Sequence, residues 1–527
     1  MTQPAGRAGD AMTGALTRIR TLATRPVCGQ SLAVFRIAFG LLMLNDVVHL
    51  LRYDWLTGFY IDRAILFPYY GLEVPALPAP WLHLLWGLCG LCCLAVALGA
   101  FYRIAIWGFN AIFIYFFLLD QLLYLNHFYM IALFGLLLGC TDAHRCWSLD
   151  RRHGRIGGTT EVPLWNLLIL QFQVEVILVF AGLVKIEIDW LRGEPLRTWM
   201  LERPWSPLST LFEVHWITLA APVLIILLHT VGAPLLLWSK TRLWVFLLYC
   251  AFHVTNAHLF NIGVFPWMTV AATTILFSPA WPTILVGRIG AALTWLRLPR
   301  PRVPAWIGHA ARIVGGGPAA RGGERAAFRP LHPAALAALV LYALVQIWLP
   351  VRDTLFEGYV GWTEEGQKFS WRMMLYVHGA DGRLIAVTPE DEAWVIDMQA
   401  HLDPLQTWMV FAKPEMLLHF AHLMKAHYAE TGVGDVRIYA DVVKNVNGQP
   451  YRRLIDPDVD LAAVDGINWF GEDPWVLRPA RMQAAEGLAP DWYPPITAAR
   501  FGAMLDALGA PDPASEAEAA PARESKE

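Results

Sequence analysis

"LWNLLILQFQVEVILVFAGLVKIEIDW", Leu164 to Trp190, decides the architecture. Its apolar part, residues 164–185, is broken only by Asn166, Gln171, Gln173 and Glu175, and it ends on Lys185. A helix of that length spans the ~30 Å hydrocarbon core of a bilayer. Glu187, Asp189 and Trp190 then mark the return to a membrane–water interface.

The composition agrees. Of 527 residues, 56% are hydrophobic and 16% charged, with 24 Trp; a soluble domain holds about 45–50% apolar and about 25% charged residues. Apolar segments fall at 32–51, 81–101, 104–122, 128–141, 164–185, 216–238, 243–260, 262–278 and 331–350. The expected fold is an α-helical integral membrane bundle of about nine transmembrane helices, followed by a periplasmic β-rich domain. Arginines cluster before the first segment, at Arg103, in "HRCWSLDRRHGR", in "SKTR" and in residues 281–330, which hold eight Arg and one Glu. The positive-inside rule puts that side, and the N-terminus, in the cytoplasm and residues 351–527 outside, in the periplasm of a bacterial inner membrane. The N-terminus shows no short apolar core with a small-residue cleavage site, so no cleaved signal peptide is expected. Seven cysteines, all before residue 251, argue against a disulfide framework. Cys89-x-x-Cys92 lies inside a span and reads as structural.

The expected organisation is a cytoplasmic segment (1–30), a membrane domain (31–280), an Arg/Gly/Pro-rich linker (281–330), a last transmembrane helix (331–350), the periplasmic domain (351–500) and an end with a disordered tail (501–527). Within the outer domain, "FSWRMMLYVHGADGRLIAV" reads as a hairpin around Asp381-Gly382. "DVRIYADVVKNVNGQPYRRLID" reads as another around Asn447-Gly448. "KPEMLLHFAHLMKAHYAETG" has helical spacing.

Ionisable residues within spans are costly and need a partner or a task. Arg36, Asp46, His49, Glu175, Lys185 and His253 are of this kind. Arg36 and Asp46 read as an ion pair or as interface anchors. Gln171, Leu178, Gly182 and Lys185 share one helical face, and His253 and Asn256 share another. By topology Lys185 lies in the outer half with Asn126 and His127, whereas His144 and Arg145 lie at the cytoplasmic end. For Lys185 two readings stand: a snorkelling anchor beside Trp190, or a desolvated lysine whose neutral amine is an available base.

The order of "SLAVFRIAFGLLML", "LNHFYM", "WSLD", "AGLVKIEIDWLRG", "FHVTNAHLFNIGVF", "GYVGWTEEGQKFSWRMM", "IYADV" and "LIDPDVD" resembles the vitamin K-dependent γ-glutamyl carboxylase family, with its HTTM membrane domain. The resemblance covers roughly residues 30–480. It implies that Lys185 is the base that deprotonates reduced vitamin K, or a menaquinol-like naphthoquinol, and that His253 is an active-region histidine. With O2, the quinol then drives carboxylation of glutamyl residues by CO2, leaving the epoxide. Asn126, His127, His144, Arg145, Asn256 and Gly182 are expected in the quinone region. Trp362, Ser370, Trp371 and Met373, within "GWTEEGQKFSWRMM", are expected to recognise glutamate.

The chain departs from the family pattern in reading His144-Arg145 where Asn-His is usual, in carrying Arg372 where an acid is usual, and in lacking the outer-domain cysteines of the animal enzymes. No biotin motif, metal-ligand spacing or nucleic-acid-binding patch is present. The partners expected are membrane lipid, quinol and a periplasmic glutamate-containing protein or peptide. Two other readings stand beside the carboxylase: a quinol epoxidase that carboxylates no peptide, and a non-catalytic membrane protein that binds lipid or protein.

Overall fold

The structure, a computed structural model, describes residues 5–260, 262–295 and 327–478. An N-terminal helix, Ala5–Ala23, precedes the bundle, whose helices Gln30–Arg52, Ala79–Leu98, Tyr102–Leu119 and Trp165–Leu183 are each long and apolar enough to cross a membrane. So are His215–Leu235 and Pro333–Leu355, which makes six among the described residues. Phe265–Leu276 and Trp281–Trp295 meet the test only together and bend by 89°, so the total reaches seven if they count as one span. The expected nine are not confirmed. Asn126–Cys140 is a helix of only 15 residues. Arg242–Leu259 is helical but carries His253, Asn256 and His258 within 18 residues.

Contacts gather the connections at two ends. At the arginine-rich end, β1 (Pro26–Cys28) pairs antiparallel with β2 (Glu161–Pro163), and the Ser31 amide donates to the Pro279 carbonyl at 3.0 Å. The Asp150 amide donates to the Gly99 carbonyl at 3.0 Å, and Arg20 reaches the Leu331 carbonyl. Arg36 is fully buried there, its Nη2 on the Trp147 carbonyl at 2.5 Å. Gly99, at φ 63°, is required beside it, because a Cβ would fall 1.8 Å from Arg36 Nη1. The expected Arg36–Asp46 ion pair does not form: ten residues along one helix separate the two by about 15 Å. The linker expected at 281–330 begins as the Trp281–Trp295 helix, and residues 296–326 lie outside the described residues.

The outer domain is a four-stranded antiparallel sheet in the order β4-β3-β5-β6, where β3 is His378–Val387, β4 Ala393–Val395, β5 Arg437–Val446 and β6 Arg452–Arg453. Helices Pro404–Ala412 and Pro414–Glu430 pack on it. Leu384, Ala386, Ile438, Ala440 and Val442 bury against Met416, Leu417, Phe420 and Met424, as the period-2 alternation of strands requires. Helical residues are as prominent here as strands, so the domain is mixed rather than β-rich.

The Asn447-Gly448 turn forms as expected, with both residues at positive φ (51° and 73°). The hairpin expected at Asp381-Gly382 does not. Both residues lie mid-strand, opposite Val443 and Val442. Gly382 serves close packing instead, since a Cβ there would meet the Asp441 carbonyl at 2.7 Å. The tail expected at 501–527, and the end of the outer domain beyond residue 478, lie outside the described residues.

Candidate functional site where the bundle meets the outer domain

Lys185 follows the Trp165–Leu183 helix by two residues, outside the span itself. Its Nζ donates to the Ala181 carbonyl at 3.0 Å and to the Met373 carbonyl at 2.8 Å, and lies 5.1 Å from the centre of the Trp190 ring. Only 6% of the residue is exposed, and no carboxylate bonds its amine among the described residues. Burial takes this amine down to about 7; Glu187 opposes the shift and Arg372 adds to it. Asp189, which sequence reasoning set beside the lysine, instead accepts from Asn447 Nδ2 at 3.0 Å. Trp190 is buried, its indole on the Leu375 carbonyl at 3.2 Å. The loop after the span is thus fastened to the outer domain.

Lys185 lines a cavity of about 390 Å³. Its bundle half is mostly apolar, walled by Ile177, Leu178, Ala181, Ile225, Phe252 and Phe265. Asn126, His127, His253 and Asn256 line it as well. Asn126 spans the two domains, its Nδ2 donating to the Arg372 carbonyl at 2.9 Å. His253 is 1% exposed, stacks on Tyr249 at 6.0 Å, and has no hydrogen-bond partner on either ring nitrogen among the described residues. A buried imidazole with two idle nitrogens costs free energy unless a ligand or water meets it.

Gly182, expected in the quinone region, is not among the residues that line the cavity; its role among the described residues is steric. A Cβ there would lie 2.6 Å from His229 Cβ and 2.9 Å from Thr230 Cγ2. The glycine lets a π-helical turn, Leu228–Gly232, pack against the lysine-bearing helix. That turn places His229 in the cavity wall, its Nδ1 2.8 Å from the Ile225 carbonyl. Sequence reasoning missed His229, although an ionisable residue within the 216–238 segment was the signal available. Single π turns recur at functional sites, but nothing in the residue pattern foretells one.

His144 and Arg145 are not brought to the cavity. His144 stacks on Tyr102 at 4.9 Å, and Arg145 pairs with Asp142 at 3.2 Å and lies over the Phe328 ring at 5.5 Å, all at the arginine-rich end.

The outer half of the cavity is polar and comes from the 362–374 segment and its neighbours. Glu364, Phe369, Trp371 and Met374 all sit at positive φ (62°, 63°, 58° and 52°). Four non-glycine residues in the left-handed region within eleven positions constitute strain that tertiary packing must hold. Trp371 supplies much of that hold: it is fully buried and stacks on Tyr129 at 4.9 Å, within the core of the bundle. Of the four residues expected to recognise glutamate, Met373 lines the cavity. Ser370 bonds back to the Gln367 carbonyl, while Trp362 and Trp371 are buried as packing. Glu364, Gln367, Lys368, Arg372 and Met374 are the other residues of this segment that line the cavity, with His378, Lys413 and Glu415 from beyond it.

These features define a multi-pass membrane protein in which one site is closed jointly by a helical bundle and an outer domain. Residues 24–281 match the HTTM domain, and residues 331–482 match the lumenal domain of vitamin K-dependent gamma-carboxylase. With the two in this order along one chain, the protein belongs to the vitamin K-dependent gamma-carboxylase family. No solved structure matches the chain.

Proposed function

We propose that this protein is a vitamin K hydroquinone-dependent γ-glutamyl carboxylase with Lys185 as its general base. The observation that carries this reading is the Lys185 amine, held by two backbone carbonyls without a carboxylate partner at the wall of a largely apolar cavity. Such an amine is available as a base near neutral pH.

The cavity fits a reduced naphthoquinone. Its bundle half is mostly apolar, and the two idle nitrogens of His253 are suited to a quinol hydroxyl. When bound, reduced vitamin K, or a menaquinol-like quinol, supplies with O2 the strong base that a γ-proton of glutamate requires. The overall balance is quinol, O2, CO2 and a glutamyl residue giving epoxide, water and a γ-carboxyglutamyl residue. Lys185 Nζ takes the hydroxyl proton, and the Ala181 and Met373 carbonyls orient its lone pair. His253 and Asn256 position the ring. The 362–374 segment closes the cavity on the outer side and keeps bulk water from the basic centre.

The arginine-rich end is assigned to the cytoplasm of a bacterial cell and the outer domain to the periplasm. On this topology the short Asn126–Cys140 helix, the Arg242–Leu259 helix and the Phe265–Leu276 segment complete nine passes. The division into a membrane domain (31–280), a linker (281–330), a last span (331–350) and an outer domain (351–500) is proposed on the same basis.

The test uses the full-length protein in nanodiscs with vitamin K hydroquinone, O2, 14C-bicarbonate and a short glutamate peptide. Epoxide and fixed 14C are measured together, with Lys185→Ala alongside. Both products, both lost in the variant, are the expected result. Epoxide without fixed carbon would point to a quinol epoxidase, and neither product would leave Lys185 as a structural anchor.

A further inference from the structure

The outer half of the cavity holds more cations than its own carboxylates can use. Glu364 is taken by Lys444, whose Nζ lies at 3.1 Å and also donates to the Trp362 and Ala412 carbonyls. Glu415 is taken by Lys368, and Asp353 by Arg372. Lys413 remains. It lines the same cavity as Lys185, and among the described residues its ammonium has neither an ion pair nor a hydrogen bond. Glu364 and Asp120 act on this half-buried amine only at longer range, and an arriving anion would give it the direct partner it lacks. Beside it is His378, within electrostatic reach of Lys413 and stacked on Trp408 at 4.9 Å and 9°. His378 lines the same cavity, and its Nε2 is buried without a hydrogen-bond partner among the described residues.

The two halves of the cavity therefore ask for different chemistry. The bundle half offers hydrocarbon surface with the neutral polar groups of His253 and Asn256; the outer half adds an ammonium that no carboxylate bonds directly and an idle imidazole nitrogen. We infer that Lys413 and the Nε2 of His378 form a carboxylate anchor, which seizes an acidic side chain of a peptide that reaches the cavity from the outer domain. The fate of that carboxylate after docking rests on the carboxylase reading above; the docking itself does not.

A binding measurement that needs no turnover separates the two. Full-length protein in nanodiscs is dialysed to equilibrium against a radiolabelled, end-blocked pentapeptide with two adjacent glutamates, and against the same peptide with glutamines. Wild type should favour the glutamate peptide. Lys413→Ala should weaken its binding about ten- to a hundredfold, the range of a hydrogen bond to a charged group. Lys413→Arg should restore affinity to within about threefold, which a folding defect in the alanine variant would not allow. Lys425→Ala, on the helix that follows Lys413 but paired with Asp435 at 3.5 Å and outside the cavity, should change nothing. Equal loss with Lys425→Ala, an unchanged affinity in Lys413→Ala, or no preference for glutamate over glutamine would each overturn the anchor. Peptide binding that depends on Lys413 without epoxide or fixed carbon would uphold the anchor and sink the carboxylase reading.

Discussion

The Nζ of Lys185 donates to the carbonyl of Met373 at 2.8 Å, joining residues 188 positions apart. The bundle supplies the amine and the outer domain supplies the acceptor that aims it. Because that acceptor lies on a segment with four left-handed non-glycine residues, the aim depends on packing far from the lysine.

The protonation of Lys185 should be visible in the rate. Burial lowers its pKa to about 7, so the amine is charged and unable to accept a proton below that value and free above it. Epoxide formation should rise with pH through a limb centred near 7 and then level off. Lys185→Ala should lower the rate by about 10²- to 10⁴-fold, the span of general-base effects, and abolish the limb. A limb that survives in the variant belongs to another group.

His253 offers a different signature. Both its nitrogens are buried and idle, so His253→Leu should leave thermal stability unchanged or raise it by about 1 kcal/mol. Quinol turnover should fall about tenfold, as expected for a lost hydrogen bond to a ligand. A merely structural histidine would give the reverse: lower melting temperature with activity per folded molecule intact.

Gly182→Ala tests the close approach of the π turn. The added methyl would push against His229 Cβ and Thr230 Cγ2, costing about 1–3 kcal/mol as overpacking. Displacement of His229 should raise the KM for quinol more than it lowers the melting temperature would suggest, and Gly182→Ser should behave no better.

Lys444 and Glu364 form a buried pair under the outer chamber. Burial pushes the Glu364 carboxyl up, but Lys444, with help from His378 and Lys413, outweighs it, so the net direction is down from 4.5. The pairing therefore contributes stability above the unfolded-state value, and that stability is lost as pH falls through the lower folded-state value. Lys444→Met should destabilise by about 3–5 kcal/mol, since it strands the carboxylate. Adding Glu364→Gln should recover part of this. Denaturant unfolding of the single and double variants measures the difference, and additive losses would refute the pair.

Much of this was legible in the sequence because hydrocarbon length and helical spacing are local properties. The 164–185 stretch, the presence of His253 and Asn256 at one site, and the Asn447-Gly448 turn all follow from neighbours along the chain. Asp381-Gly382 misled because a turn dipeptide can equally be a glycine on which the next strand presses. Three-dimensional gathering was less legible. Nothing local says that Lys413 lines the same cavity as Lys185, that Trp371 leaves its own domain to pack in the bundle, or that the Leu228–Gly232 turn carries His229 inward. The span count differs because length alone does not decide whether a 15-residue helix or a bent pair crosses.

The clasp between Asp189 and Asn447 bears on how the two halves can be inherited. With the loop after the fifth apolar segment tied to a sheet turn encoded much later in the gene, a shuffled copy that kept only the first half would lose the wall above its lysine. Selection on such a copy would act on an open hole rather than a closed vessel. A genetic screen for inactive alleles should correspondingly find hits in the outer segment that no experiment on the membrane half alone could explain.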